Sequence, residues 1–262
     1  MGRRGVAYPL QASRLTKRFG GLTALRDVSL VVPPRGIVGL IGPNGAGKTT
    51  LFDCVTGVHP PTLGRVHLFG VDVTEWPAHR RAHLGIARTY QRLELFTTLT
   101  VRENVLAAFE ARYGVGDVVS DIFSLPPTIE TRYEAEAQVD VVLEMTGLQD
   151  KADVPAGELP LGTARIVEFA RAIVTKPRLL MLDEPSSGLR ADESQRLADL
   201  VHQVRADGTS VLLVEHDMSF VLELSDYVYV LDFGELLAEG TPALIREDED
   251  VRAAYLGTEV VS

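Results

Sequence analysis

Gly42-Pro43-Asn44-Gly45-Ala46-Gly47-Lys48-Thr49 is the stretch that most narrows what this chain can fold into. It satisfies G-x-x-x-x-G-K-[ST] in full. Its glycines let the backbone wrap closely around a polyphosphate with amide N–H groups turned inward. Lys48 can reach the outer phosphates, and Thr49 can hold Mg²⁺ through its hydroxyl. Such a loop works only between a strand and a helix whose N-terminus faces the anion. Both are legible here. Gly36-Ile37-Val38-Gly39-Leu40-Ile41 is a short apolar run that reads as a buried strand, and Lys48 to Thr56 reads as a helix. The expected cradle is Gly42, Pro43, Asn44, Gly45, Ala46, Gly47, Lys48, Thr49 and Thr50.

The surrounding pattern is α/β. Upstream, Leu10 to Phe69 holds short β-rich runs, among them Val28-Ser29-Leu30-Val31-Val32, closed by Pro33-Pro34. Downstream, Leu179-Leu180-Met181-Leu182 reads as a strand that ends at Asp183-Glu184-Pro185. Two carboxylates then emerge together from a buried strand. In a phosphate-loop enzyme the first can hold Mg²⁺ and the second can polarise an attacking water. Ser194 to Ala206 reads as a helix and Thr209 to Val214 as the next strand. Tyr227 to Leu231 and Glu235 to Ala238 read as a hairpin turning at Phe233-Gly234. Alternating strands and helices predict a mainly parallel sheet.

The middle of the chain differs. Thr100 to Gly147 has helical spacing, with Val101, Val105, Ala108 and Phe109 on one face. A looser stretch, Gly114 to Thr128, separates it from a second helix over about Glu130 to Met145. Residues 95–160 are read as a helical subdomain inserted in the α/β core. The acidic Glu247-Asp248-Glu249-Asp250 is read as a solvated helix start.

Composition excludes several alternatives. Acidic residues number 36 and basic ones 26, which argues against a nucleic-acid partner bound through a broad basic face. Cys54 is the single cysteine, so an internal disulfide and a CxxC metal site are both excluded; inside the predicted helix it reads as a packed core thiol. No run approaches the roughly 18 apolar residues that span a bilayer. Met1-Gly2-Arg3-Arg4 is basic but lacks the apolar stretch of a secretory signal. A cytoplasmic protein is expected.

These residues, with four further elements, resemble the ATPase subunits of ABC transporters from about Leu10 to Leu256. The resemblance implies a P-loop NTPase core (the ABC ATPase type) with a mainly parallel sheet, an N-terminal antiparallel β subdomain and an inserted helical subdomain. It implies one domain over 1–262: core and β subdomain in 8–94 and 161–240, helices in 95–160, and a helical tail in 241–262. Phe19 matches the family aromatic that stacks on adenine. Gln91, in Arg88-Thr89-Tyr90-Gln91, matches the glutamine that contacts Mg²⁺ and water and moves with the membrane partner. His216 matches the histidine that contacts the γ-phosphate. The implied catalytic set is Glu184, His216, Lys48 and Gln91. The implied metal ligands are Thr49, Gln91 and Asp183.

The fourth element departs from the family. Where the signature is usually Leu-Ser-Gly-Gly-Gln, this chain has Leu159-Pro160-Leu161-Gly162-Thr163. In the family the signature of one subunit binds the γ-phosphate held by the other. Pro160 has neither a hydroxyl nor an N–H to offer. The amides of Leu161 and Gly162, and a helix from Thr163, remain. Arg190 also stands where the family often has Asp.

Phe19 to Leu25, Arg88 to Gln91 and the tail from Gly240-Thr241-Pro242 to Ala254-Tyr255-Leu256-Gly257 look like branched-chain amino acid importer ATPases, with parts shared by lipopolysaccharide-export ATPases. The resemblance implies ATP and Mg²⁺ as cofactors. It implies integral-membrane permease subunits and a second ABC ATPase subunit as partners, as a homodimer or a heterodimer, with a solute-binding protein upstream. The expected location is the inner face of the cell membrane. An export ATPase of the lipopolysaccharide type and a soluble, non-transport ABC ATPase are the alternatives. The soluble class commonly carries two cores per chain or long coiled-coil insertions, and neither is seen here.

Overall fold

The computed structural model describes residues 7–113 and 129–259. The basic N-terminal residues and the looser stretch at 114–128 lie outside them. Two sheets form the scaffold. The first is antiparallel, in the order β2–β1–β4–β5, from β1 (Leu10–Phe19), β2 (Leu22–Val32), β4 (Leu63–Leu68) and β5 (Val71–Asp72). The second runs β10–β9–β3–β8–β7–β6, from β3 (Ile37–Ile41), β6 (Ile86–Arg88), β7 (Leu179–Asp183), β8 (Ser210–Val214), β9 (Tyr227–Asp232) and β10 (Glu235–Gly240). Its pairings are parallel except for the β9–β10 hairpin.

The apolar runs are strands because both faces of this sheet are covered. Side chains alternate between two cores. Val38, Leu40, Leu179, Met181, Leu212 and Val214 face the antiparallel sheet and α1 (Lys48–Thr56). Ile37, Ile41, Leu180, Leu182, Val211 and Leu213 face a helical layer. That layer includes α3 (Val101–Tyr113), α4 (Ile129–Thr146), α5 (Leu161–Ile173), α6 (Ala191–Ala206) and α7 (Met218–Leu224). Val101 and Val105 are fully buried against it, and Ala108 and Phe109 pack partly on it. The short α2 (Ala78–His83) precedes β6, and α8 (Pro242–Glu247) and α9 (Glu249–Glu259) follow the hairpin. Each fully buried leucine contributes roughly 2 kcal/mol, so the filled strands dominate the stability of the core. Among the described residues, no helix is long and apolar enough to cross a membrane.

Two helix starts differ from the sequence reading. The helix read from Ser194 begins at Ala191, because the Arg190 N–H donates to the Glu193 carboxylate (2.9 Å) and Asp192 and Glu193 sit in the positive first turn. The helix read from Thr163 begins at Leu161, with Pro160 as its N-cap. The Ala164 N–H is the first to close, onto the Pro160 carbonyl at 2.9 Å. The acidic run is divided: Glu247 ends α8, and the Asp248 carboxylate accepts the Val251 N–H (3.0 Å) to start α9.

Candidate functional site

Parallel pairing brings the chemistry to one edge. Leu40 of β3 and Asp183 of β7 both lie opposite Val214 of β8, so the loops after these three strands meet at their carboxyl ends. In open α/β sheets that edge is where ligands bind. The loop after β3 leads into α1 through Gly47, which has φ +104°. A Cβ there would lie 2.7 Å from the Ala24 carbonyl, so only glycine fits. The Lys48 side chain is almost fully buried, and its ammonium donates to the carbonyls of Gly42 (2.6 Å) and Pro43 (3.1 Å). Burial lowers its pKa, opposed by the charges of Glu184, Asp183 and Glu215. The result is a cation held at the centre of the loop by groups that an incoming anion can replace.

A cleft of about 560 Å³ opens over this loop. Asn44, Gly45, Ala46, Gly47, Lys48, Thr49 and Thr50 form its floor, and Phe19, Gln91 and Glu184 stand on its rim. Phe19 is half exposed, with the Lys17 ammonium 4.8 Å from its ring centroid and His59 edge-on at 5.6 Å. The Gln91 amide donates to Glu184 Oε2 at 2.8 Å. Glu184 has φ +46°, a strained value for a side chain other than glycine, and its N–H is fixed to the Val214 carbonyl (2.9 Å). His216 Nδ1 stands 3.9 Å from the same Glu184 oxygen and 3.6 Å from Glu215 Oε2.

Asp183 lies behind that rim. Burial raises the pKa of its carboxyl, against the pull of the Arg88 guanidinium. Arg88 was not singled out from sequence. It donates to Asp183 Oδ2 (2.8 Å) and to Asp53 Oδ1 on α1 (2.7 Å), with its side chain only 9% exposed. Burial pulls the guanidinium pKa down, but the two carboxylates outweigh it and leave the pKa raised. Glu215 was also missed. Fully buried, it accepts from the Ser186 N–H (2.7 Å) and hydroxyl (2.6 Å), pinning the loop after Glu184; burial raises its pKa. The available signal was a charged residue closing or directly following an apolar strand, at Arg88 and again at Glu215.

The segment carrying Gln91 is fastened to α5. Arg165 donates to the carbonyls of Gln91 (2.7 Å) and Tyr90 (3.2 Å), and Glu168 accepts the Tyr90 N–H (3.2 Å). Arg165 and Glu168 pair at 3.1 Å and are both buried. Beside Tyr90 lies a second groove of about 430 Å³ between α2, β6, α3 and α5. Gly162, in the first turn of α5, does not line the cleft. It packs against Glu193 of α6, whose carboxylate fills the space a Cβ would need. Of the residues expected from sequence, the cleft therefore gathers Phe19, Asn44 to Thr50, Gln91 and Glu184. Gly42, Pro43, Asp183 and His216 do not line it but adjoin residues that do, and Gly162 stands apart.

The site also fits Mg²⁺. Thr49, Gln91 and Asp183 offer hard oxygen donors, the kind Mg²⁺ prefers, and a nearby cation would favour the ionised form of the buried Asp183. Among the described residues, no cluster of three or more His, Cys, Asp or Glu could hold a metal by itself. An ion that shares its coordination with substrate phosphates is what so sparse a donor set suits.

The chain is similar to known proteins along nearly its whole length. The family model described as ABC transporter matches residues 25–187, and that described as branched-chain amino acid ATP-binding cassette transporter matches 235–261. The chain is 42% identical over 249 residues to the high-affinity branched-chain amino acid transport ATP-binding protein BraF of Pseudomonas aeruginosa, covering 95% of this chain and 97% of that one. Identity and coverage are the same for LivG of Escherichia coli, which carries the same description. The lipopolysaccharide export system ATP-binding protein LptB of Haemophilus influenzae is 32% identical, over 95% of this chain and 98% of its own. A solved ADP conformation of an ATP-binding cassette of an ABC transporter aligns with a TM-score of 0.82 at 31% identity, over 95% of this chain and 99% of that one.

Proposed function

This chain belongs to the ABC transporter family of ATP-binding proteins, and we propose that it binds and hydrolyses ATP to energise an importer of branched-chain amino acids or a related small solute. The observation that carries the reading is the Gln91–Glu184 contact at 2.8 Å on the rim of a cleft floored by the phosphate loop. This contact supports Glu184 as the general base and Gln91 as the group that orients the attacking water beside the γ-phosphate. The tail match at 235–261 and the higher identity to BraF and LivG than to LptB support amino-acid import over lipopolysaccharide export.

In this mechanism the Gly42–Thr50 backbone and Lys48 hold the phosphates, and Phe19 stacks on adenine. Glu184 accepts a proton from the attacking water, which Gln91 helps to orient. His216 steadies the γ-phosphate. Thr49, Asp183 and Gln91 would hold Mg²⁺, which neutralises phosphate charge when bound. A second ATP-binding subunit completes each site: the amides at the start of α5, including that of Gly162, would meet the γ-phosphate bound by the other subunit. Permease subunits in the membrane, supplied by a solute-binding protein, dock from the side of the second groove. Movement there reaches Gln91 through Tyr90, Arg165 and Glu168.

Glu184→Gln tests the assignment. The variant should bind ATP normally, lose at least a hundredfold in turnover, and accumulate an ATP-bound dimer in gel filtration. Near-normal phosphate release would refute Glu184 as the base.

A further inference from the structure

Two turns in this chain share a dipeptide and a geometry. Phe69-Gly70 joins β4 to β5, where Leu68 pairs with Val71; Phe233-Gly234 joins β9 to β10, where Asp232 pairs with Glu235. Both residues of each turn have positive φ: 53° and 84° in the first, 43° and 82° in the second. Two-residue hairpins of this kind favour Asn-Gly or Asp-Gly, and a bulky aromatic in their first position is strained.

At Phe69 the fold compensates. The ring packs against the core between the sheets, and the Arg178 guanidinium lies 3.7 Å from its centroid. Phe233 is 89% exposed, so its ring gains almost nothing from the fold. The turn beneath it is nevertheless fixed to the phosphate loop. The Gly234 N–H donates to the Ala46 carbonyl (3.0 Å), and the Gly234 carbonyl accepts the Arg26 N–H (2.8 Å). Arg26 and Glu235 form an ion pair at 2.9 Å. Phe233 thus stands on a braced support at the wall of the cleft that also holds Phe19. A strained, exposed side chain on a rigid mount beside a ligand cleft serves the ligand rather than the fold.

We propose that Phe233 contacts the nucleotide, its ring packing against the base or ribose while the triphosphate lies on the Gly42–Thr50 loop. An uncharged ring offers nothing to phosphate; its complement in this cleft is the flat, less polar nucleoside. The proposal rests on the cleft being the ATP site. Phe233 adds to Phe19 a second apolar surface and selects for a nucleoside without distinguishing strongly among bases.

The experiment measures equilibrium binding of ATP and of inorganic tripolyphosphate, both with Mg²⁺, to the full-length wild type, Phe233→Ala and Phe233→Gly. Expected is a loss of ATP affinity of roughly tenfold in both variants, as for a lost base–aromatic contact, with tripolyphosphate binding unchanged. Phe233→Gly should also melt no lower than wild type, since glycine removes the strain at φ +43°. Equal ATP affinity in all three proteins would overturn the proposal, as would a parallel loss of both ligands, which means damage to the phosphate loop. Altered ATP-driven dimerisation at unchanged ATP affinity would overturn it too, making Phe233 a subunit contact. Failure of the wild type to bind either ligand would instead bring down the ATP-site reading itself.

Discussion

Replacing Arg88 by methionine removes the cation that Asp53 and Asp183 share while keeping most of the apolar stem. Arg88 and Asp183 have side chains only 9% and 6% exposed, so water cannot take the place of the lost guanidinium. Breaking a buried pair from one side costs about 3–5 kcal/mol, because the remaining charge is uncompensated. In a domain of this size, each kcal/mol lowers the melting temperature by roughly 2–4 °C. Arg88→Met should therefore melt about 10 °C below wild type at neutral pH by scanning calorimetry. The loss should depend on pH. Burial already holds the Asp183 carboxyl above its ordinary range, and without Arg88 it rises further. A carboxyl whose folded pKa is raised binds its proton more tightly in the folded state. Its contribution is fully present below the unfolded value of about 3.9 and is lost as pH rises through the folded one. The gap between variant and wild type should thus narrow as pH falls through that window. Asp183→Asn in the Arg88→Met background should restore part of the loss at neutral pH. A variant melting within about 2 °C of wild type, or a gap independent of pH, would refute the account.

Two further outcomes are expected besides those for Glu184 and Phe233. Cys54 is fully buried and its thiol is pushed up to about 11, so a disulfide reagent should leave it unmodified in the native protein and titrate one thiol after denaturation; rapid native labelling would contradict its placement. Pro160→Ser returns a hydroxyl to the N-cap of α5, which should stabilise the helix by about 1 kcal/mol and raise the ATPase activity of the isolated chain several-fold. Unchanged turnover at every protein concentration would show that position 160 does not limit the composite site.

The second groove and the cleft over the phosphate loop meet at one short segment. Tyr90 lines the groove, and Gln91 reaches Glu184. Arg165 and Glu168 hold the backbone of both residues from α5, the helix whose first turn carries Gly162. A displacement at the second groove therefore has a short, hydrogen-bonded route to Glu184.

Much of the protein was settled locally. The phosphate loop could be read from eight residues because its function is a backbone shape, and its glycines are required where φ is positive or a Cβ would collide. The strands could be read because a sheet covered on both faces needs uninterrupted apolar runs. The helix Lys48–Thr56 and the hairpin at Phe233-Gly234 followed from equally local patterns. Tertiary structure decided what depends on pairing between distant strands. Arg88 meets Asp183 across 95 residues because β6 lies parallel to β7, with Arg88 opposite Met181. Asp53 enters the same network only because α1 packs beside that edge. The partners of Glu215, the clamp on Gln91 and the bareness of Phe233 beside the well-packed Phe69 are likewise consequences of packing. One-dimensional patterns record which face a residue takes; they do not record which neighbour it finds there.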